Sequence, residues 1–314
     1  MKKWILPIAA VAMFFILAGG ILYFNPQKAR TPRILGATYM TRNNPYFDVL
    51  HEAIEEVVEG NGDILISRDP SQDQEKQNGQ ILEMIDEGIE ILFLNPVDQE
   101  AVRPALEACR EAGVTVIDID TVVKDREYVS AIIETDNYKA GELCAQDMME
   151  RVNSAQIVIL DNPIQSSIAD RVRGFLDTIQ GNDNYMVVYR AVAKGEFEVG
   201  AEQMSQFLKL EIPFQVVLGG NDPTALGALA ALQQYHMEDG ILIYGIDGSP
   251  DFKAMLELGN VTGTSAQSPR SIGIMAAETA YTYLNGGEIE PYTSIEPYMI
   301  NQENLDQYEV DVWQ

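Results

Sequence analysis

The chain has 314 residues, 48 of them acidic against 21 basic, a formal net charge of −27 and 46% hydrophobic content. That length holds two domains of ordinary size, and a surface so acidic is repelled by phosphate backbones, which argues against nucleic acid as a partner. The two cysteines, Cys109 and Cys144, lie in helical patterns without CxxC or His-rich spacing, so they read as small buried thiols and no metal site is expected.

Lys2 and Lys3 precede an uncharged, mostly apolar run over residues 4–24. Its length matches a membrane-spanning helix of about 20 residues, and its start resembles a secretory signal. Ala18 and Gly20 satisfy a small-residue cleavage rule, but the apolar run continues through residues 21–24, which favours an uncleaved anchor. Gly20 also stands where a lipidated cysteine would be required. Residues 1–32 are therefore read as a signal or anchor segment with a short linker. Lys28, Arg30 and Arg33 balance the N-terminal lysines, so charge alone leaves the orientation open.

The body alternates apolar strands with amphipathic helices. Strands are expected at 33–41, 63–67, 89–94 and 114–119, with helices at 46–59, 75–88 and 100–112 between them. After residues 128–133 the pattern restarts, with helices at 138–151, 167–179, 199–208, 224–235 and 271–284. The strands of this second series fall at 156–160, 185–189, 214–218, 241–246 and 261–265. Such βαβ alternation means parallel sheets with right-handed crossovers. Two series of similar size mean two lobes with a cleft at their strand ends. The stretch 216–232, VVLGGNDPTALGALAAL, shows the unit clearly: a short apolar strand, two glycines, an Asn-Asp cap, a proline in the first helical turn and an alanine-rich helix. The polar tail from Asn301 is expected to pack loosely.

The polar and aromatic residues at the strand ends are Asn44, Tyr46, Phe47, Asn95, Asp120, Arg171, Phe197, Asn221, Asp247 and Gln267. Any one of them has a structural explanation, since Asn and Asp cap helices and aromatic residues after a cap pack into cores. Together they supply what a sugar needs. Carboxylates, amides and a guanidinium pair with hydroxyls that both donate and accept, and aromatic rings cover the apolar C–H faces. An enzymatic reading would take Asp120 and Asp247 as the carboxylate pair of a glycosidase. No GxSxG, HExxH or phosphate-loop pattern supports an enzyme. A sugar-responsive repressor would need a DNA-binding headpiece before the first strand, where an apolar segment stands instead.

The motifs NNPYF (43–47), IDEGIEILFLNPVD (85–98), ETDN (134–137), ADRVRGF (169–175), GGNDPTALGAL (219–229), GIDGSP (245–250) and the Ala266-Gln267 turn occur in an order that resembles periplasmic sugar-binding proteins of the ribose-binding type. The resemblance spans residues 33 to about 284. It implies the two-lobed type I periplasmic-binding fold, each lobe a parallel sheet flanked by helices. The first lobe would comprise residues 33–134 with 268–294, and the second 135–267 with 295–314, the chain crossing near 134–137, Gln267 and Ile295. It implies that Asn44, Tyr46, Phe47, Asn95 and Asp120 contact the sugar from the first lobe, Arg171, Phe197, Asn221 and Asp247 from the second, and Gln267 from a crossover.

Ribose binders carry Arg after the aspartate matched to Asp120, where this chain has Thr121, and a small polar residue where it has Met40. Ribose itself is thereby in question, and a hexose or another polyol fits as well. The resemblance further implies an extracytoplasmic, monomeric protein, tethered through its N-terminal segment, without cofactor or metal. It would close on a monosaccharide by hinge bending and present it to the membrane permease of an ABC transporter. The alternative partner is a membrane sensor such as a histidine kinase.

Overall fold

The computed structural model describes residues 30–313. The expected signal or anchor segment lies outside them except for its last three residues, and among the described residues no helix is long and apolar enough to cross a membrane.

The first series comprises β1 (Ile34–Thr38), α1 (Pro45–Gly60), β2 (Ile64–Arg68), α2 (Gln74–Asp86), β3 (Ile91–Leu94), α3 (Arg103–Ala112), β4 (Thr115–Ile119) and β5 (Ala131–Thr135). The second comprises α4 (Asn137–Arg151), β6 (Ala155–Asp161), α5 (Ser166–Ile179), β7 (Tyr185–Val192), α6 (Phe197–Leu208), β8 (Val216–Gly219), α7 (Asp222–Tyr235), β9 (Leu242–Asp247), α8 (Pro250–Glu257) and β10 (Gly263–Ala266). The chain ends with α9 (Pro269–Leu284), β11 (Tyr292–Ile295) and β12 (Tyr298–Asn301).

One sheet has the order β11-β5-β4-β3-β1-β2 and the other β12-β10-β9-β8-β6-β7. Every pairing is parallel except β10 with β12. The two sheets thus share one winding, with β1, β3, β4 and β5 in the places of β6, β8, β9 and β10. β3 is buried along its whole length, as a strand covered on both faces must be. One apolar cluster, around Leu35, Leu50, Phe93 and Ile272, joins the first sheet to α1 and α9. Another, around Leu92, Leu106 and Cys109, covers the sheet's opposite face. The second sheet is enclosed in the same way, by clusters around Phe207 and Leu232 and around Phe175 and Tyr244.

Helix starts follow their capping chemistry. The Asn44 side chain accepts the Tyr46 N–H with Pro45 in the first turn, and Asn221 accepts the Thr224 N–H with Pro223 in the first turn. Glycines allow α4 and α5 to touch backbone to backbone. A Cβ on Gly141 would lie 1.8 Å from the Arg171 carbonyl oxygen, and one on Gly174 would lie 2.0 Å from that of Tyr138. This close approach brings Asn137 within reach of Arg171.

Two stretches differ from the sequence reading. Residues 248–260 carry no expected element, yet Pro250–Glu257 is helical, capped by Ser249 and seated through Phe252 and Leu256. Eight residues are too few to display helical periodicity. The tail, expected to pack loosely, is tied down. β12 pairs with β10, and the Lys253 ammonium donates to the carbonyls of Glu309 at 2.7 Å and Val312 at 2.6 Å. Trp313 then packs edge-on against Tyr46, with ring centroids 5.7 Å apart. Polar side chains signal exposure of themselves, whereas here the tail is held by its backbone carbonyls, by the Trp313 indole and by bonds of those same polar residues, such as Asn301 Nδ2 to Asp147 Oδ1 at 2.7 Å.

Candidate functional site

The carboxyl ends of both sheets face a common cavity of about 500 Å³, a size suited to small molecules. From the elements of the first sheet come Asn44, Tyr46, Phe47 and Asp120; from those of the second come Arg171, Phe197, Asn221 and Asp247, with Gln267 beside the turn into α9. Nine of the ten residues singled out in the sequence therefore share one wall. Asn95 does not.

Asn95 is fully buried behind that wall, and neighbours occupy its amide. Its Oδ1 accepts the Met40 N–H at 3.1 Å, while its Nδ2 donates to the Ile119 carbonyl at 3.2 Å and to Asp120 Oδ2 at 3.0 Å. Expected to contact a ligand, Asn95 is instead absent from the cavity lining and donates to Asp120, which is on it. Asn44 and Asn221 line the cavity, but both cap helices, and Asn221 Nδ2 also donates to the Gly195 carbonyl at 2.9 Å.

Asp120 follows β4 in a left-handed conformation, φ 65°. Asp tolerates this region better than most residues. The conformation is held by the Asp120 N–H donating to the Ile133 carbonyl at 3.0 Å and the Thr121 N–H donating to that of Ile119 at 2.8 Å. Asp120 is only 4% exposed. Burial pushes its carboxyl upward, opposed by the Arg171 charge and by hydrogen bonds from Tyr46, Thr121 and Asn95.

Asp247, 3% exposed, ends β9. Its Oδ1 accepts Gln267 Nε2 at 2.7 Å and lies 3.6 Å from Arg171 Nη1, and its Oδ2 is 3.4 Å from the Asp222 N–H. Burial raises this carboxyl strongly; Arg171 opposes the shift and neighbouring Asp222 adds to it. The Tyr46 hydroxyl connects the two halves of the wall, donating to Gln267 Oε1 at 3.4 Å and interacting with the Asp120 carboxyl.

Arg171 is 3% exposed. Its Nε donates to Asn137 Oδ1 at 2.8 Å and its Nη1 to the Gly220 carbonyl at 3.0 Å, which leaves Nη2 unpaired beside the cavity. Asn137 Nδ2 in turn donates to Glu134 Oε2 at 3.1 Å, so a chain of hydrogen bonds runs from the end of β5 to the guanidinium. Burial pushes Glu134 up to about 7.

The two halves also touch directly. Thr121 Oγ1 lies 2.8 Å from Ser167 Oγ. Ser166 Oγ accepts the Val122 N–H at 2.7 Å and is 2.9 Å from the Val122 carbonyl. Gln165 Nε2 reaches Met40 Sδ at 2.8 Å. Gln165, Ser167 and Asn137 were not singled out from the sequence. The loop between β6 and α5 follows a strand end like the others, and that position is the signal that points to Gln165 and Ser167. Asn137 lies within the ETDN stretch, where it reads only as part of a crossover. The cavity rim carries Asp69, Lys194, Glu196 and Glu198, with Phe197 42% exposed among them.

Two parallel α/β sheets of one winding, with polar and aromatic side chains gathered where their strand ends meet, define a ligand-binding protein of the type I periplasmic-binding fold. The chain belongs to the periplasmic binding protein domain family, which matches residues 36–288. It is 28% identical over 297 residues to the ribose import binding protein of Bacillus subtilis (strain 168), covering 92% of this chain and 96% of that one. It is 27% identical over 216 residues to the galactofuranose-binding protein of Escherichia coli (strain K12), covering 65% and 68%. An ABC transporter solute-binding protein of Bacillus halodurans solved with myo-inositol has the same fold, with a TM-score of 0.83 at 21% identity over 90% of this chain and 99% of that one. The periplasmic component of an arabinose ABC transporter from Shewanella sp. ANA-3 gives 0.82 at 25% identity over 87% and 93%.

Proposed function

We propose that this protein captures a monosaccharide or related polyol outside the cytoplasm and presents it, enclosed between its lobes, to the permease of a sugar ABC transporter. The observation that carries this reading is the convergence of Asp120, Asp247, Arg171 and three aromatic rings from both sheets on one cavity. The carboxylates accept hydroxyl protons, the unpaired guanidinium nitrogen donates to hydroxyl oxygens, and Tyr46, Phe47 and Phe197 cover the C–H faces. The names of the ribose and galactofuranose relatives support the same ligand class.

The lobes are taken as residues 33–134 with 268–294 and 135–267 with 295–314, hinged where the chain crosses between sheets. Ligand bonds to both lobes favour the closed form in proportion to its differential affinity. The Thr121–Ser167 and Val122–Ser166 bonds join the two lobes directly and add to closure. Tethering through residues 1–32 would keep the protein at the membrane, and a monomer suffices for this role.

The test is calorimetry on the full chain in mild detergent against pentoses, hexoses and inositols. Saturable binding of at least one is expected. Silence across the panel overturns the proposal.

A further inference from the structure

We propose that the polyol taken by this cavity carries a protonated amine, as an amino sugar or aminocyclitol does, and that such a ligand binds more tightly than its neutral parent. This rests on the polyol-binding reading above and adds the charge of the ligand to it. The inference begins with the balance of charges at the deep wall. Asp120 and Asp247 both line the cavity and are nearly inaccessible, and Asp222, wholly buried, lies directly behind Asp247. One guanidinium, Arg171, stands among these three carboxylates, and the buried Lys253 ammonium attracts Asp222 from behind the wall, so the two carboxylates that line the cavity share Arg171 alone. Its two hydrogen bonds go to neutral oxygens, those of Asn137 and Gly220, and it reaches Asp247 only at 3.6 Å. No cation hydrogen-bonds to Asp120, whose donors are the neutral groups of Asn95, Thr121 and Tyr46. Lys194, the other cation on the lining, is exposed on the short loop that also carries Glu196, with Glu198 following in the first turn of α6.

Buried carboxylates without a countercharge are costly unless they bind a proton or a cation. The upward push on the Asp120 and Asp247 carboxyls expresses the same deficit. Among the described residues no group of three carboxylate, imidazole or thiol side chains is arranged to hold a metal ion, which favours an organic cation. An ammonium offers three donors and a full positive charge to carboxylates already held in place, and the rings of Tyr46, Phe47 and Phe197 tolerate a cation at their faces. The acidic rim of Asp69, Glu196 and Glu198 draws cations inward. A neutral sugar makes comparable hydrogen bonds but leaves the charge uncompensated.

The test is calorimetry on the full chain in mild detergent near neutral pH. Glucosamine, galactosamine and an aminocyclitol are compared with glucose, galactose, inositol and N-acetylglucosamine. At least one amine is expected to bind about ten- to hundredfold more tightly than its neutral parent, as charge-assisted hydrogen bonds allow. N-acetylation should abolish the gain, and Asp120→Asn should weaken the amine more than the parent. Should that variant fail to fold, the N-acetyl comparison decides by itself. Neutral parents binding as tightly as their amines, or more so, overturn the inference and leave polyol binding standing; silence from every compound overturns both.

Discussion

Asp120 and Asp247 occupy equivalent places, each at the carboxyl end of the third strand in its sheet, β4 in one and β9 in the other. Their surroundings differ. Asp120 is held only by neutral donors, supplied by Asn95, Thr121 and Tyr46. Asp247 sits beside a second carboxylate and the deep wall's one guanidinium. The asparagines after the preceding strands have diverged as well. Asn95 is buried and positions its aspartate, whereas Asn221 caps α7 and remains on the cavity wall. A shared winding therefore fixes where polar residues emerge, and the neighbours of each residue decide its role.

Removing the guanidinium should break the comparison most severely. Arg171→Ala leaves Asp247 without its countercharge, and loss of one partner from a buried ion pair is strongly destabilising. Ligand affinity should fall by about a hundredfold or more, measured by calorimetry on variant protein whose far-UV circular dichroism matches the parent. Unchanged affinity would remove Arg171 from the site.

A matched pair of substitutions sharpens the contrast. Asn137→Ala unties the Arg171 Nε and should lower affinity about tenfold. Asn95→Ala leaves the Met40 N–H without a partner and takes a donor from Asp120, and it should lower the melting temperature more than Asn137→Ala does, because Asn95 braces the wall of its own lobe. The opposite ordering of the melting temperatures would show that the bracing lies in the second lobe.

Glu134, at the start of the chain of bonds leading to Arg171, adds a pH dependence. Its carboxyl is raised from 4.5 to about 7 in the folded protein, so the folded state retains a proton that the unfolded state has already released. Stability contributed by the protonated form is fully present at the acid end and is lost as pH rises through that window. Glu134→Gln keeps an acceptor for Asn137 and cannot ionise. It should match the parent's melting temperature below pH ~4.5 and exceed it above pH ~7, as followed by thermal melts.

The smallest effect belongs to the rim. Glu196→Gln with Glu198→Gln should change affinity by less than about threefold, chiefly through a salt-dependent association rate, since exposed charges are screened. Stopped-flow fluorescence across a salt series measures it, and a large loss persisting at high salt would place these carboxylates in contact with the ligand.

Much of this arrangement was legible in the sequence. Apolar runs such as ILFL, caps such as Asn44-Pro45 and the repeated strand, loop and helix marked the parallel strands and their crossover helices, because burial and helix capping are read over neighbouring residues. Nine of the ten residues drawn from strand ends line the cavity for that reason. Tertiary structure alone decided what Asn95 does, which residues hold Arg171, and that a polar tail would be fastened by Lys253 and bring Trp313 against Tyr46. Those outcomes depend on contacts between residues far apart in the chain. No local pattern records whether a polar atom, once buried, finds its partner in a ligand or in its neighbour.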